Sequence, residues 1–209
     1  MPVSTPPVAD DFLAALRAAT RALHAEAERS GFVRDLLAGR VTRASYALWL
    51  RNLWLAYDTL EAALAVHGAP GLADPRVMRA AALASDLAAL CGPRWREDIP
   101  VLAAGRDYAH AIGAARGAQL AAHAYVRYLG DLNGGRVLAR VVARALGLGE
   151  SALRYYAFDA DAASLERDYR AALARAGATD DDTRAGAEVA ASAFRHNIAL
   201  SEAVLAASR

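Results

Sequence analysis

Apolar residues recur at three- and four-residue intervals along nearly the whole chain, and nowhere do they alternate over a useful length. That periodicity predicts an all-α domain of about seven or eight helices. A helix starting near Asp10 carries Phe12, Leu16, Leu23 and Ala27 on one stripe, and a short helical segment from Phe32 to Ala38 closes at Gly39. Thr42 is placed to cap a long helix from Arg43 to His67. Its core face holds Tyr46, Trp49, Leu50, Leu53, Trp54, Tyr57, Leu60 and Leu64. Gly68, Pro70, Gly71 and Pro75 mark a loop. Asp74 then caps a helix that runs to Leu90 and breaks at Cys91-Gly92-Pro93. After a mixed connection holding Trp95 and Pro100, a helical run begins at Asp107. It passes Tyr108, Ile112 and Leu120 and ends at Leu146, ahead of Gly147 and Gly149. Residues 150–163 read as a loop crossing with Tyr155, Tyr156 and Phe158. A short helix from Ser164 to Ala176 contains Leu165, Tyr169 and Arg170. Asp180, Asp181 and Asp182 load the N-terminus of the last helix, where acids suit the dipole. Residues 1–9 form a flexible arm, and 10–209 a single domain.

Two stretches depart from plain packing patterns. In Tyr125-Val126-Arg127-Tyr128-Leu129-Gly130-Asp131-Leu132-Asn133-Gly134-Gly135-Arg136, three glycines interrupt a helical run. Each costs roughly 1 kcal/mol relative to alanine inside a helix. At about 100° per residue, Arg127, Gly130, Asp131, Gly134 and Gly135 share one side. That side is nearly bare, with one carboxylate and one guanidinium at its edge. It suits a backbone lying against something flat, or a kinked helix packed closely on a neighbour through small residues. The second stretch is a polar stripe on the first helix: Arg17, Arg21, His24 and Glu28. It reads either as an ion-paired surface or as a histidine ligand. In the second case an acid one turn on fixes the imidazole tautomer, and two arginines stand ready for anionic groups.

The totals narrow the choice. A length of 209 residues gives one domain with a real core, and 56% hydrophobic with 22% charged residues makes it globular. A net charge of +1 gives no electrostatic case for a nucleic-acid or membrane partner. All 24 Lys-plus-Arg positions are arginine, which excludes a lysine Schiff base or a P-loop lysine. The single cysteine, Cys91, allows no internal disulfide, cysteine-rich zinc site or four-cysteine iron–sulfur cluster. Without a signal pattern or an apolar run of about 18 residues, the expectation is a cytoplasmic protein with no membrane anchor, monomeric by default.

The glycine surface and the histidine stripe together suit a flat ligand held between two helices. Haem fits, because its iron takes an axial histidine and its propionates take arginines. Here the sequence resembles the haem oxygenase family. The stretch Leu16–Glu28 is similar to its proximal helix, and Ala122–Gly135 to its distal helix. Val41-Thr42-Arg43 with Tyr57 and Glu61, and Ala193-Phe194 with Asn197-Ile198, match two further segments in order. The resemblance implies an all-α haem-oxygenase-like fold with a kinked, glycine-rich distal helix. It implies His24 as axial iron ligand and Glu28 as its hydrogen-bond acceptor. Gly130 and Gly134, with Gly135 beside them, would admit the haem face. Asp131 would organise ordered water, with Arg127, Tyr57, Tyr108 and Asn197 in the network. Arg17, Arg21 and Arg170 would meet propionates, and Tyr125 and Phe194 the haem edge.

The implied reaction is cleavage of haem to biliverdin, carbon monoxide and ferrous iron, expected at the α-meso carbon. It uses O2 and electrons from an external donor, a ferredoxin or an NAD(P)H-dependent reductase. The sequence departs from the family pattern at Asn133 (usually serine), Arg136 (usually glutamine) and Glu166 (basic in many members, near a propionate). The alternatives are a haem carrier or sensor of the same fold, a thiamin-degrading enzyme and a helical interaction module. Cys91, in Cys-Gly-Pro-Arg-Trp, lacks the carboxylate setting that the thiamin-degrading enzyme needs.

Overall fold

A computed structural model describes residues 9–158 and 160–209 of the chain. The expected arm at 1–9 lies outside the described residues except for Ala9, where the first helix begins. Among the described residues ten α-helices run α1 (Ala9–Arg29), α2 (Gly31–Leu37), α3 (Arg43–His67), α4 (Ala80–Cys91), α5 (Trp95–Asp98), α6 (Ala103–Ala114), α7 (Gly117–Ala124), α8 (Gly130–Leu146), α9 (Ala162–Ala174) and α10 (Asp180–Ala207). A π turn, Tyr125–Leu129, joins α7 to α8, and two 3₁₀ turns, Glu150–Ala152 and Arg154–Tyr156, precede α9. No strand occurs among the described residues. No helix among them is long and apolar enough to cross a membrane.

The count exceeds the seven or eight helices read from periodicity because apolar spacing does not register short breaks. The run expected from Asp107 begins earlier, at Ala103, and is cut at Ala115–Arg116, where Gly117 takes φ +50°. Asp74 does not cap α4. Its Oδ1 accepts the Arg76 N–H at 2.9 Å in a local turn. α4 begins instead at Ala80, and Glu61 on α3 accepts the Arg79 and Ala80 N–H groups at 2.6 and 2.9 Å. One carboxylate thereby satisfies two of the donors that a helix start leaves unpaired. Thr42 caps α3 as expected. Thr42 and Ser45 form a reciprocal capping box on α3, and Thr179 with Asp182 forms another on α10.

The core follows the predicted stripes. Phe12 and Leu16 of α1 are buried against α10, and the Phe12 ring lies over Gly186 of α10 and Gly177 just before it. Tyr46, Leu50, Leu53, Tyr57, Leu60 and Leu64 of α3 are buried, and α3 packs chiefly on α4 and α6. Gly31 opens α2 with φ +53°, and a Cβ there would stand 2.5 Å from the Ser201 backbone. Only glycine lets α2 start so close to α10. Ser201 Oγ fastens the contact, accepting the Val33 N–H at 2.9 Å and donating to the Ser30 carbonyl at 3.1 Å.

His123 on α7 is buried beside Tyr108, with ring centroids 5.8 Å apart and Nδ1 unpartnered. Burial, then the proximity of His196 and Arg127, pushes its pKa down to about 4. A histidine with a depressed folded pKa takes up protons on unfolding, so stability is lost as pH falls from about 6.5 through 4. Urea titrations at pH 7 and 4.5 should show His123→Leu losing less stability on acidification than wild type. The difference should be up to about 3 kcal/mol. Comparing variant with wild type removes groups common to both.

Candidate functional site

A cavity of about 550 Å³ opens among α1, α2, α3, the π turn, α8, α9 and α10. That volume falls in the range of about 300–1,000 Å³ typical of small-molecule and cofactor sites. Ala27, Val33, Leu36, Leu37, Trp49 and Leu53 make much of its apolar lining.

α1 supplies one wall. His24 and Glu28 line it together, one turn apart, with His24 Nδ1 3.5 Å from Glu28 Oε1. This arrangement orients the ring and leaves Nε2 for a ligand. The side chains remain 59% and 57% exposed, so neither is held by core packing. The imidazole lies 5.7 Å from the Phe194 ring of α10, which lines the same cavity. Arg17 and Arg21 stay exposed on the outer continuation of the stripe and do not line the cavity. Arg170 of α9 does line it, and its Nε donates to Glu166 at 2.8 Å.

The π turn and α8 supply another wall, contributing Tyr125, Arg127, Gly130, Asp131 and Gly134. The glycines themselves sit in ordinary α geometry (φ −59°, ψ −47° at Gly130), and the irregularity falls one turn earlier, at Tyr125–Leu129. A π turn holds one residue more than an α turn, so it resets which side the following residues face. Such turns concentrate at functional sites. A Cβ added at Gly130 or Gly134 meets nothing within 4 Å. These glycines are therefore not demanded by the surrounding protein; what they leave is open space over the cavity. Gly135 is turned away, toward Tyr156, whose atoms would lie 3.8 Å from an added Cβ. Gly134→Leu should leave the haem-free fold at least as stable, since leucine is the better helix former by up to about 1 kcal/mol. The same change should weaken haemin binding at least tenfold in a titration.

Asp131 is the polar focus of this wall. Tyr155 donates to its Oδ1 at 2.7 Å, Tyr57 donates to its Oδ2, and the two phenol oxygens are 3.1 Å apart. Burial pushes its carboxyl up, while the Arg127 charge and the two phenol donors hold the rise in check. Arg127 keeps Nε and Nη1 unpartnered, with its guanidinium 5.5 Å above the Tyr57 ring and 5.9 Å from that of Tyr108. Burial disfavours its charge, but Tyr57, Tyr108, Tyr155 and Asp131 more than offset this. Asn197 Oδ1 and Tyr108 Oη are likewise buried without partners. Arg127 and Asn197 line the cavity, so it presents unpartnered polar atoms fitted for ordered water or a polar ligand, while Tyr108 stands behind Asn197. Tyr57 stands behind Asp131 and does not itself line the cavity.

Ten of the site residues expected from sequence thus line one cavity: His24, Glu28, Tyr125, Arg127, Gly130, Asp131, Gly134, Arg170, Phe194 and Asn197. Arg17, Arg21, Gly135 and Tyr57 do not. Sequence reasoning missed the Tyr155 and Tyr156 phenols at the wall and the apolar side of α2. Spacing carries no signal for a loop that folds back on a distant helix.

A family profile described as Heme oxygenase matches residues 10–203. Human Heme oxygenase 1 is 36% identical over 204 residues, covering 92% of this chain and 71% of that protein. Among solved structures, heme oxygenase-1 of the cyanobacterium Synechocystis in complex with heme superposes with a TM-score of 0.84 at 28% identity. The match covers 91% of this chain and 90% of that one. The heme oxygenase of Leptospira interrogans gives a TM-score of 0.84 at 30% identity, covering 92% and 98%. The chain belongs to the haem oxygenase family. It is an all-α, haem-degrading oxidoreductase.

Proposed function

We propose that this chain opens haem to biliverdin, carbon monoxide and ferrous iron, at the α-meso carbon, with His24 as the axial ligand. The observation that carries the reading is the joining, in one cavity, of a Glu28-supported imidazole and a glycine-backed wall bearing Asp131 and Arg127. Synechocystis heme oxygenase-1 and -2, both solved in complex with heme, share this fold and support haem as the ligand.

Bound haem supplies the iron that activates O2 and is itself the ring that is opened. Glu28, facing Nδ1, keeps the proton there and Nε2 free for iron. Gly130 and Gly134 let the backbone of α8 approach the macrocycle, with Tyr125 and Phe194 at its edge. Asp131, Arg127 and Asn197 hold water above the ring, and Tyr57 holds Asp131. Each Asp131 oxygen keeps a lone pair beyond its phenol donor, enough to orient a water and receive a proton from it. His24 is the one imidazole lining the cavity, so this wall works through a carboxylate and a guanidinium. Arg170 meets a propionate from the cavity lining, Arg17 and Arg21 reach one only where it projects past the cavity mouth, and electrons come from a ferredoxin or an NAD(P)H-dependent reductase.

Glu166 competes with a propionate for Arg170. Glu166→Gln should tighten haemin binding by up to about fivefold, the roughly 1 kcal/mol of a partly exposed ion pair. The test of the function is a single turnover of protein loaded with one equivalent of haemin, with reductant and catalase, followed by product chromatography. Loss of haem absorbance with growth of the α isomer of biliverdin is the expected result. Stable binding without degradation would make the protein a haem carrier and overturn the proposal.

A further inference from the structure

Two buried polar groups beside the site have no task in that reading: the Tyr155 hydroxyl and the Asp86 carboxylate. Asp86 lies on α4 and is wholly shielded from solvent. Its Oδ1 accepts the Arg154 N–H and its Oδ2 the Tyr155 N–H, each at 2.9 Å. Burial pushes this carboxyl up to about 6 despite both donors and the Arg154 charge. An ionisable group in such a place is costly to keep. What it holds is the second 3₁₀ turn, at the point where the chain returns to α8. From that turn Tyr155 reaches Asp131 Oδ1, opposite the Tyr57 donor on Oδ2.

We propose that Tyr155 is a positioning residue for haem cleavage, and that Asp86 anchors the backbone turn presenting it. Tyr57 and Tyr155 together clamp both oxygens of Asp131. A carboxylate held by one phenol can still swing about its terminal torsion; held by two, it keeps one orientation toward the cavity. The inference rests on Asp131 being the working carboxylate proposed above. Tyr57 from α3, Arg127 from the π turn and Tyr155 act on it most directly; Arg79 ahead of α4 acts through its charge, Tyr108, Tyr128 and Tyr156 stand close enough to feel its charge, and Arg136 shares a small pocket with it. Removing the Tyr155 hydroxyl takes away a donor that favours the ionised form, so Asp131 should become harder to ionise.

Tyr155→Phe retains the ring, which packs 4.7 Å from Tyr156 and 5.8 Å from Tyr57. The control is Tyr46→Phe, which breaks the neighbouring 3.2 Å Tyr46–Tyr156 hydroxyl bond without touching Asp131. Carbon-13 carboxyl titration of the haem-free protein, with the Asp131 signal assigned by its loss in Asp131→Asn, reads the clamp directly. The midpoint should rise by about one pH unit in Tyr155→Phe. It should move the same way in Asp86→Asn, which leaves one turn N–H without an acceptor, and stay fixed in Tyr46→Phe. With haem loaded, Tyr155→Phe should bind within twofold of wild type yet open the ring about tenfold more slowly. An unmoved Asp131 midpoint in folded Tyr155→Phe, or an equal shift in Tyr46→Phe, overturns the inference even if wild type degrades haem normally. Failure of wild type to open the ring would show in the turnover assay instead, and would remove the reading beneath it.

Discussion

Asp131→Ala should bind haemin within about twofold of wild type and open the ring at least 100-fold more slowly, the loss expected when a positioned proton-handling group is removed. Binding survives because the apolar lining, His24 and the propionate arginines are untouched. Because α8 continues the π turn without a free start, alanine is also the better helix former at this position. Turnover fails because the wall loses the only carboxylate it presents beside Gly130 and Gly134. The substitution leaves the buried Tyr57 and Tyr155 hydroxyls without their acceptor and removes a negative charge that favours the Arg127 guanidinium. Single-turnover absorbance with matched haem loading measures the effect. Biliverdin appearing at the wild-type rate would remove Asp131 from the chemistry.

His24→Ala should abolish ring opening and weaken haemin binding at least tenfold, while leaving the fold intact. The imidazole is more than half exposed and has Glu28 as its polar neighbour, so little packing is lost. The loss therefore falls on the ligand rather than on the protein, and free imidazole soaked into the vacated volume should restore part of the activity. Circular dichroism separates this outcome from unfolding. If turnover persisted in His24→Ala without added imidazole, another residue would be the ligand.

These residues were legible for different reasons. His24 and Glu28 stood out because their spacing puts them on one helical face. That spacing could not say whether Arg17 and Arg21 share the cavity, and they lie on its outer side. The glycines stood out because three of them are expensive in a helix. Gly130 and Gly134 leave open space, Gly135 packs toward Tyr156, and none of the three takes a positive φ. The π turn at Tyr125–Leu129 was invisible, since it widens the helix without changing the residue types that favour one. Glu61 capping α4, and Asp86 holding the Tyr155 turn, depend on contacts between segments far apart in sequence. No periodicity encodes those contacts.

Haem iron held by His24, opposite the glycine-lined wall, is the central proposal. Resonance Raman spectra of the ferrous haem-loaded protein test that most directly. An iron–histidine stretching line in wild type, absent in His24→Ala and restored by added imidazole, is the predicted result. A line that persists unchanged in His24→Ala, and vanishes instead when His110 or His196 is replaced, would contradict it.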